Sequence, residues 1–121
     1  MTSDLIAPQP DPIKNDLPAS WDLVVADFEG AYGQATCGDK VIQDMRGRDR
    51  FGYDKYGVRI QPKNGRDNLV DAYQELLDGL VYFRSELYDS KGPTDPIVMG
   101  AYRDLLKMVL HLRQSIEKRD R

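Results

Sequence analysis

Residues 68–83 constrain the fold of this chain more than any other stretch of its sequence. Asp71, Glu75 and Asp78 follow one another at steps of four and three residues, which places three carboxylates on one side of an α-helix. Like charges at this spacing repel each other, and no Lys or Arg is interleaved with them. The pattern predicts a bound divalent cation, which takes oxygen ligands from carboxylates. The alternative is an ordinary solvated helix face.

Apolar residues cover most of the remaining surface of this predicted helix. At about 100° per residue, one apolar stripe lies opposite the acids and a second lies on one flank. A helix with so much apolar surface is typical of the interior of a bundle or an oligomer, so we expect the acids within or at the edge of packed structure. The first stripe comprises Leu69, Tyr73, Leu76, Leu80, Phe83 and Leu87, and the second comprises Val70, Leu77, Val81 and Tyr88.

The pattern of apolar positions along all 121 residues predicts an all-α fold with four helices. Residues 1–18 contain four prolines and predict an extended or disordered N-terminal arm. Residues 19–121 suit a single domain. We expect a first helix with Ser20 as its N-cap, a second over about residues 39–50, a third from near Asp67 to before Gly92, and a fourth that starts at Asp95-Pro96. Gly52 and Gly57 are expected to break the second helix.

Composition excludes several classes of protein. The net charge of −3 argues against direct nucleic-acid binding by the molecule as a whole. No apolar stretch approaches the length of a membrane span, and no signal peptide is visible. The single cysteine, Cys37, permits neither an intramolecular disulfide nor a zinc-finger spacing, which fits a cytoplasmic location.

Basic residues concentrate between residues 46 and 66. Seven of them lie there, opposed only by Asp49 and Asp54, and a basic segment in an acidic protein indicates a local anion site. The alternatives are that this segment is a solvated loop or that it binds the phosphate backbone of a nucleic acid. Because the segment leads into the acidic helix, we expect it to hold phosphate beside the metal. The candidate phosphate ligands are Arg48, Arg50, Lys63 and Arg66, and the candidate nucleotide contacts are Asn64 and Asn68.

The acidic helix also carries a family resemblance. Glu75-Leu76-Leu77-Asp78, followed by residues 79–83, resembles the E-x-x-D motif of the MazG-like all-α nucleoside triphosphate pyrophosphohydrolases. The resemblance covers roughly residues 40–90 and is closest to the MazZ-like branch, found in phages and actinobacteria. The string that carries it runs through Tyr56-Gly57, Asn64-Gly65-Arg66-Asp67 and Asp71-Ala72-Tyr73-Gln74-Glu75.

The resemblance implies a four-helix MazG-like bundle assembled as a homo-oligomer, either a dimer or a tetramer. It implies Mg²⁺ or Mn²⁺ held by acids from two helices, and water attack that releases a nucleoside monophosphate and pyrophosphate. The MazZ-like branch acts on dGTP and GTP and supplies dGMP for phage DNA that contains 2-aminoadenine, which would place a phage-encoded member in the host cytoplasm. The chain departs from the family at the preceding helix, which lacks the usual E-x-x-E pair. The nearby acids there are Asp44 and Asp49, and Glu29 of the first helix is another possibility.

These features together predict a metal-dependent pyrophosphohydrolase for a nucleoside triphosphate, with dGTP or GTP as the favoured substrate. Glu75 and Asp78 are the expected metal ligands and catalytic carboxylates. Asp71 is expected as a third ligand, and Asp44 as an acid from the facing helix or a group that positions water. Two alternatives stay open: the same chemistry on another substrate such as dUTP or dCTP, and a non-enzymatic helical dimerisation or regulatory module.

Overall fold

The structure is a computed structural model that describes residues 5–90 and 95–121. These residues form four α-helices and no strand, which confirms the all-α prediction. The helices are α1 (Ser20–Tyr32), α2 (Gly38–Tyr56), α3 (Asn68–Asp89) and α4 (Pro96–Arg119). The chain divides into two compact units. The α1–α2 unit comprises residues 10–66, and the α3–α4 unit comprises the described residues of 1–9 and 67–121. The prediction of a single domain over residues 19–121 stays a prediction.

The start signals of α3 and α4 act as the sequence predicts. The Asp67 carboxylate accepts hydrogen bonds from the backbone N–H groups of Leu69 and Val70, which satisfies two donors that have no partner inside the helix. Asp95 caps α4 in the same manner, and Pro96 occupies the first turn, where its missing N–H is no loss.

The predicted start of α1 and the predicted end of α2 are wrong by one and by several residues, respectively. Ser20 is the first residue of α1, and Ala19 occupies the N-cap position with an extended backbone. The N–H of Ser20 donates to the carbonyl of Ile60 at 2.8 Å. Helix α2 continues through Gly52 and ends at Gly57, whose φ of +73° suits a glycine. A lone glycine in a helix costs only about 1 kcal/mol, so Gly52 does not interrupt α2.

Helices α3 and α4 pack against each other around a small apolar core. Ile116 is completely buried there and packs with Val70 and with Leu5 of the N-terminal arm. Tyr73 and Leu112 border this cluster. The core therefore depends on a residue from outside the helices.

Side-chain amides attach the arm to α3. The Gln74 amide nitrogen donates to the carbonyls of Leu5 and Ala7, at 3.0 and 2.8 Å. The Gln9 amide donates to the carbonyl of Asp67 at 2.6 Å and accepts from its N–H at 3.1 Å. Residues 5 and 7 lie outside any helix or strand, so Gln74 supplies hydrogen-bond partners that regular secondary structure does not provide for their carbonyls.

A second set of amides joins the arm to the loop after α2. The buried Gln61 side chain accepts from the N–H of Asn15 and donates to the carbonyls of Asn15 and Leu17. The side chain of Asn64, only 1% exposed, accepts from the N–H of Arg66 at 3.1 Å. Both buried amides are satisfied within the α1–α2 unit, as burial of a polar group requires.

The apolar stripes of α3 are only partly buried within the α3–α4 unit, and their burial in an oligomer stays a prediction. Of the ten stripe residues, Val70 is buried and six are half-buried, whereas Leu69, Val81 and Tyr88 are 39%, 62% and 81% exposed. The two units therefore bury only part of the apolar stripes that the sequence presents.

The burial of Ile116 leads to a stability prediction. Ile116→Ala is expected to lower the free energy of unfolding by about 2–5 kcal/mol, because it leaves a cavity among tightly packed side chains. Ile97→Ala is the matched control on the same helix; Ile97 is 78% exposed, so a change within about 0.5 kcal/mol is expected. Urea unfolding followed by circular dichroism checks both variants, and equal effects would contradict the core described above.

Candidate functional site

The three predicted metal ligands lie on one uninterrupted helix. Asp71 is half-buried on α3, and Glu75 and Asp78 are exposed on the same side. The Gln9 amide donates to the Asp71 carboxylate at 3.0 Å, so the arm reaches the first of the three acids.

Carboxylate oxygens are the ligands that Mg²⁺ and Mn²⁺ prefer, so the types of these three residues fit the expected ion. Within residues 5–90 and 95–121, no three His, Cys, Asp or Glu side chains gather around a common point. The metal site stays a prediction.

An ion pair stabilises the residue that caps this helix. Arg119, at the end of α4, binds the Asp67 carboxylate at 2.8 Å. This guanidinium, followed by the backbone N–H bonds from Val70 and Leu69, holds the pKa of Asp67 below its usual value. The cap of α3 is thus ionised and tied to α4 just before the acidic strip begins.

The other predicted site residues are distributed over both units. Asp44 is exposed on α2 in the α1–α2 unit, and Asn68 is the exposed first residue of α3. Asn64 is buried and bonded within its own loop. The structure therefore gives Asn64 a role in shaping the loop, while its role in nucleotide binding stays a prediction.

The four candidate phosphate ligands do not form a single cluster. Arg48 lies over the Phe51 ring at 4.6 Å. Arg66 donates to the carbonyl of Pro10 at 2.7 Å. Lys63 is exposed, with a positive φ of 53°. Arg50, in contrast, lines an open cavity, which makes it the best placed of the four to meet a ligand.

Arg59 is the centre of the most extensive ion-pair network in the α1–α2 unit. It lies in the loop after α2 and binds Asp22 of α1 and Asp49 of α2, with closest distances of 2.8 and 2.6 Å. Arg46 of α2 also binds Asp22 at 2.8 Å. These contacts connect α1, α2 and the loop through one guanidinium, which has the planar fork that suits two carboxylates.

The network changes the acidity of its members. Hydrogen bonds from Arg59 and then from Arg46 lower the pKa of Asp22 to about 2. The same contacts with Asp22 and Asp49 raise the pKa of Arg59. Both groups remain charged across the physiological pH range, so the network persists there.

Two adjoining cavities lie beside this network. The first, here called the arginine cavity, has a volume of about 490 Å³. The neighbouring cavity has a volume of about 300 Å³ and shares Tyr53 and Arg59 with the first. Apolar groups of Leu17, Ala19 and Val58 contribute to its wall, and Lys14 adds a charge. The arginine cavity is lined by Arg46, Asp49, Arg50, Tyr53, Asp54 and Arg59.

Arg46 and Arg59 belong to the basic segment of residues 46–66, but the sequence pattern does not mark them as site residues. Arg46, Arg50 and Tyr53 recur at steps of four and three residues on α2, so they share one helix face. That periodicity was a usable signal. The position of Arg59 was not readable in this way, because it depends on a loop folding back over α2.

Comparisons with protein families, curated proteins and solved structures produced no match. In the part of the chain that the structure describes, no helix has both the length and the apolar character required to cross a membrane.

The lowered pKa of Asp22 predicts a specific acid response. A carboxylate with a pKa of about 2 in the folded state and 3.8 ordinarily adds stability above pH 4, and that stability is lost as the pH falls towards 2. Arg59→Gln should be less stable than wild type at pH 7 and should lose less stability between pH 4 and pH 2. Urea unfolding monitored through the only tryptophan, Trp21 of α1, measures this difference.

Arg113→Gln is the matched control, since Arg113 forms an exposed ion pair with Glu117 on α4. This variant should leave the acid response of Trp21 unchanged. If both variants respond to acid alike, the Arg59 network does not stabilise the α1–α2 unit.

Proposed function

We propose that this protein is a metal-dependent nucleoside triphosphate pyrophosphohydrolase that converts dGTP or GTP to the monophosphate and pyrophosphate. The observation that carries the proposal is the acidic side of α3. Glu75 and Asp78 are exposed there and, among the described residues, form no ion pair with Lys or Arg. Three acids at this spacing destabilise a helix unless a cation offsets their repulsion. The resemblance of residues 75–78 to the E-x-x-D motif supports the same reading.

The roles follow from the chemistry of each side chain. Glu75 and Asp78 would hold Mg²⁺ or Mn²⁺, with Asp71 as a third ligand or as a group that orients one. The ion would neutralise phosphate charge and lower the pKa of the attacking water. Asp44 would supply a further acid or position that water. The proposed phosphate ligands are Arg48, Arg50, Lys63 and Arg66, and the proposed nucleotide contacts are Asn64 and Asn68.

The proposal includes assembly into a homo-oligomer, as a MazG-like bundle would require. In the described chain, the side chains of Leu5, Ala19, Val25, Val70 and Ile116 form the whole of the buried apolar set. Large apolar side chains on α3 and α4 meanwhile remain exposed, such as those of Val81, Tyr82 and Ile97. Apolar surface of this extent is characteristic of an interface, and a second copy would cover it.

Hydrolysis is tested with purified protein and each deoxynucleoside and nucleoside triphosphate in Mg²⁺ or Mn²⁺. Pyrophosphate release is expected, with dGTP and GTP as the best substrates. Glu75→Gln should reduce release by at least a hundredfold, because it removes a charged metal ligand while keeping the shape of the side chain. Asp104→Asn on α4 is the control: it also neutralises one exposed helical carboxylate, and full activity is expected.

The outcomes separate the candidate functions. Full activity in folded Glu75→Gln would refute the site, and preference for dUTP or dCTP would change the substrate but keep the chemistry. If no nucleotide yields pyrophosphate, the chain is better explained as a helical interaction module. The exposed apolar side chains of α3 and α4 suit that second candidate as well as an oligomeric enzyme, since a docking module also needs such a surface.

The oligomer is tested by light scattering coupled to size exclusion. We expect a dimer or tetramer for the wild type and a smaller species for Val81→Lys, because a buried lysine in an apolar interface is unfavourable. Gln114→Lys, an exposed polar position on α4, is the control and should keep the wild-type mass. A monomeric wild type at all concentrations would exclude the assembly.

A further inference from the structure

We propose that the two adjoining cavities of the α1–α2 unit form a nucleotide-binding site, with the phosphates in the arginine cavity and the ring of the base in its neighbour. This inference rests on the proposed function and identifies where the substrate would bind. It brings in Arg46 and Lys14, which the sequence pattern does not mark as site residues, together with Tyr53, an aromatic residue of the basic segment that could stack on a base or serve in packing.

The arginine cavity is suited to an anion because its three arginines outnumber its two carboxylates, and one of those carboxylates, Asp49, is paired with Arg59. Arg59 uses its N–H groups on Asp22 and Asp49, so the Asp49 carboxylate is neutralised and presents little repulsion to a ligand. The pairing also fixes the wall against which a ligand would bind, so little side-chain ordering is left for the binding step.

The donors that remain available come from α2. Arg46 uses one guanidinium nitrogen, Nη1, on Asp22. The side chain of Arg50 forms no hydrogen bond or ion pair with the described residues. Arg46 and Arg50 are four residues apart on one helix, so their guanidinium groups lie on the same side. Two neighbouring guanidinium groups suit the oxygens of a phosphate chain, which they bind with paired N–H bonds.

The neighbouring cavity is suited to a flat ring. Its volume of about 300 Å³ is at the lower end for small-molecule sites, and Leu17, Ala19 and Val58 contribute apolar surface. The Gln61 amide is occupied by backbone groups of Asn15 and Leu17, so it shapes the wall rather than competing for the ligand.

Tyr53 and Arg59 line both cavities, so a ligand with a ring and a charged tail would span them. Four basic side chains and two carboxylates line the two cavities together, which leaves a surplus of positive charge. Tyr53 is half-exposed and offers a face on which a base can stack.

A nucleic-acid strand would need stacking surfaces for successive bases, whereas Tyr53 is the one aromatic among the described residues that lines these two cavities. A mononucleotide is therefore the ligand that fits.

The test is equilibrium binding of the full chain, measured by calorimetry at fixed ionic strength with EDTA present to prevent hydrolysis. The probes are dGTP, inorganic pyrophosphate and deoxyguanosine. Arg50→Gln should weaken binding of dGTP and pyrophosphate about tenfold or more, because a charge-assisted hydrogen bond is lost, and should leave deoxyguanosine unaffected. Tyr53→Leu should weaken dGTP and deoxyguanosine and spare pyrophosphate.

Lys40→Gln is the control, since Lys40 is an exposed cation in the first turn of α2 and lines neither cavity. Arg50→Lys should restore part of the lost affinity. Equal dGTP affinity in Arg50→Gln and Lys40→Gln would overturn the inference. So would absence of dGTP binding by the wild type, or tighter binding of a single-stranded oligonucleotide than of dGTP.

Failure of this inference is distinguishable from failure of the proposed reaction. Binding that depends on Arg50 without any pyrophosphate release would keep the nucleotide site and exclude the hydrolysis. The opposite result is pyrophosphate release by a protein whose dGTP affinity is unchanged in Arg50→Gln and Tyr53→Leu. It would support the hydrolysis and show that the substrate binds outside these cavities.

Discussion

Side-chain amides hold the non-helical segments of this protein in place, and both compact units depend on them. Gln61 binds the backbone of residues 15 and 17 in the α1–α2 unit, and Gln74 binds that of residues 5 and 7 in the α3–α4 unit. An extended backbone without a neighbouring strand has unsatisfied donors and acceptors, and a glutamine side chain supplies one of each. These contacts also deliver Leu5 to the apolar core around Ile116.

Charge pairing has a comparable role between α1 and α2. Both helices carry exposed apolar residues, and few of their side chains are buried. Arg59 compensates by joining Asp22 and Asp49, which fixes the loop after α2 against both helices. Arg50 borders an open cavity beside this network, and its side chain forms no hydrogen bond or ion pair with residues 5–90 or 95–121. The ion network thus fixes part of the wall of the proposed anion site and neutralises Asp49, one of the two carboxylates in that wall.

The acidic strip of α3, which comprises Asp71, Glu75 and Asp78, and the cavities of the α1–α2 unit would serve different parts of the proposed function. The strip offers oxygen ligands for a hard cation, and the cavities offer guanidinium groups and apolar surface for a nucleotide. Gln9 adds a connection within the α3–α4 unit, because the arm that completes the core also binds Asp71. Stability and the proposed metal chemistry therefore share a contact at the beginning of α3.

The sequence alone determined the helical class, the caps at Asp67 and Asp95, and the alignment of Asp71, Glu75 and Asp78, because each depends on residues within one or two helical turns. It misjudged Gly52, where hydrogen bonds on either side maintain α2 through a weak helix former. Only the tertiary structure decided that Gln9 reaches Asp71, that Arg59 joins Asp22 to Asp49, and that Arg50 borders a cavity. Those contacts join residues ten to more than sixty positions apart, and their geometry depends on how loops fold back over helices, which local periodicity does not encode.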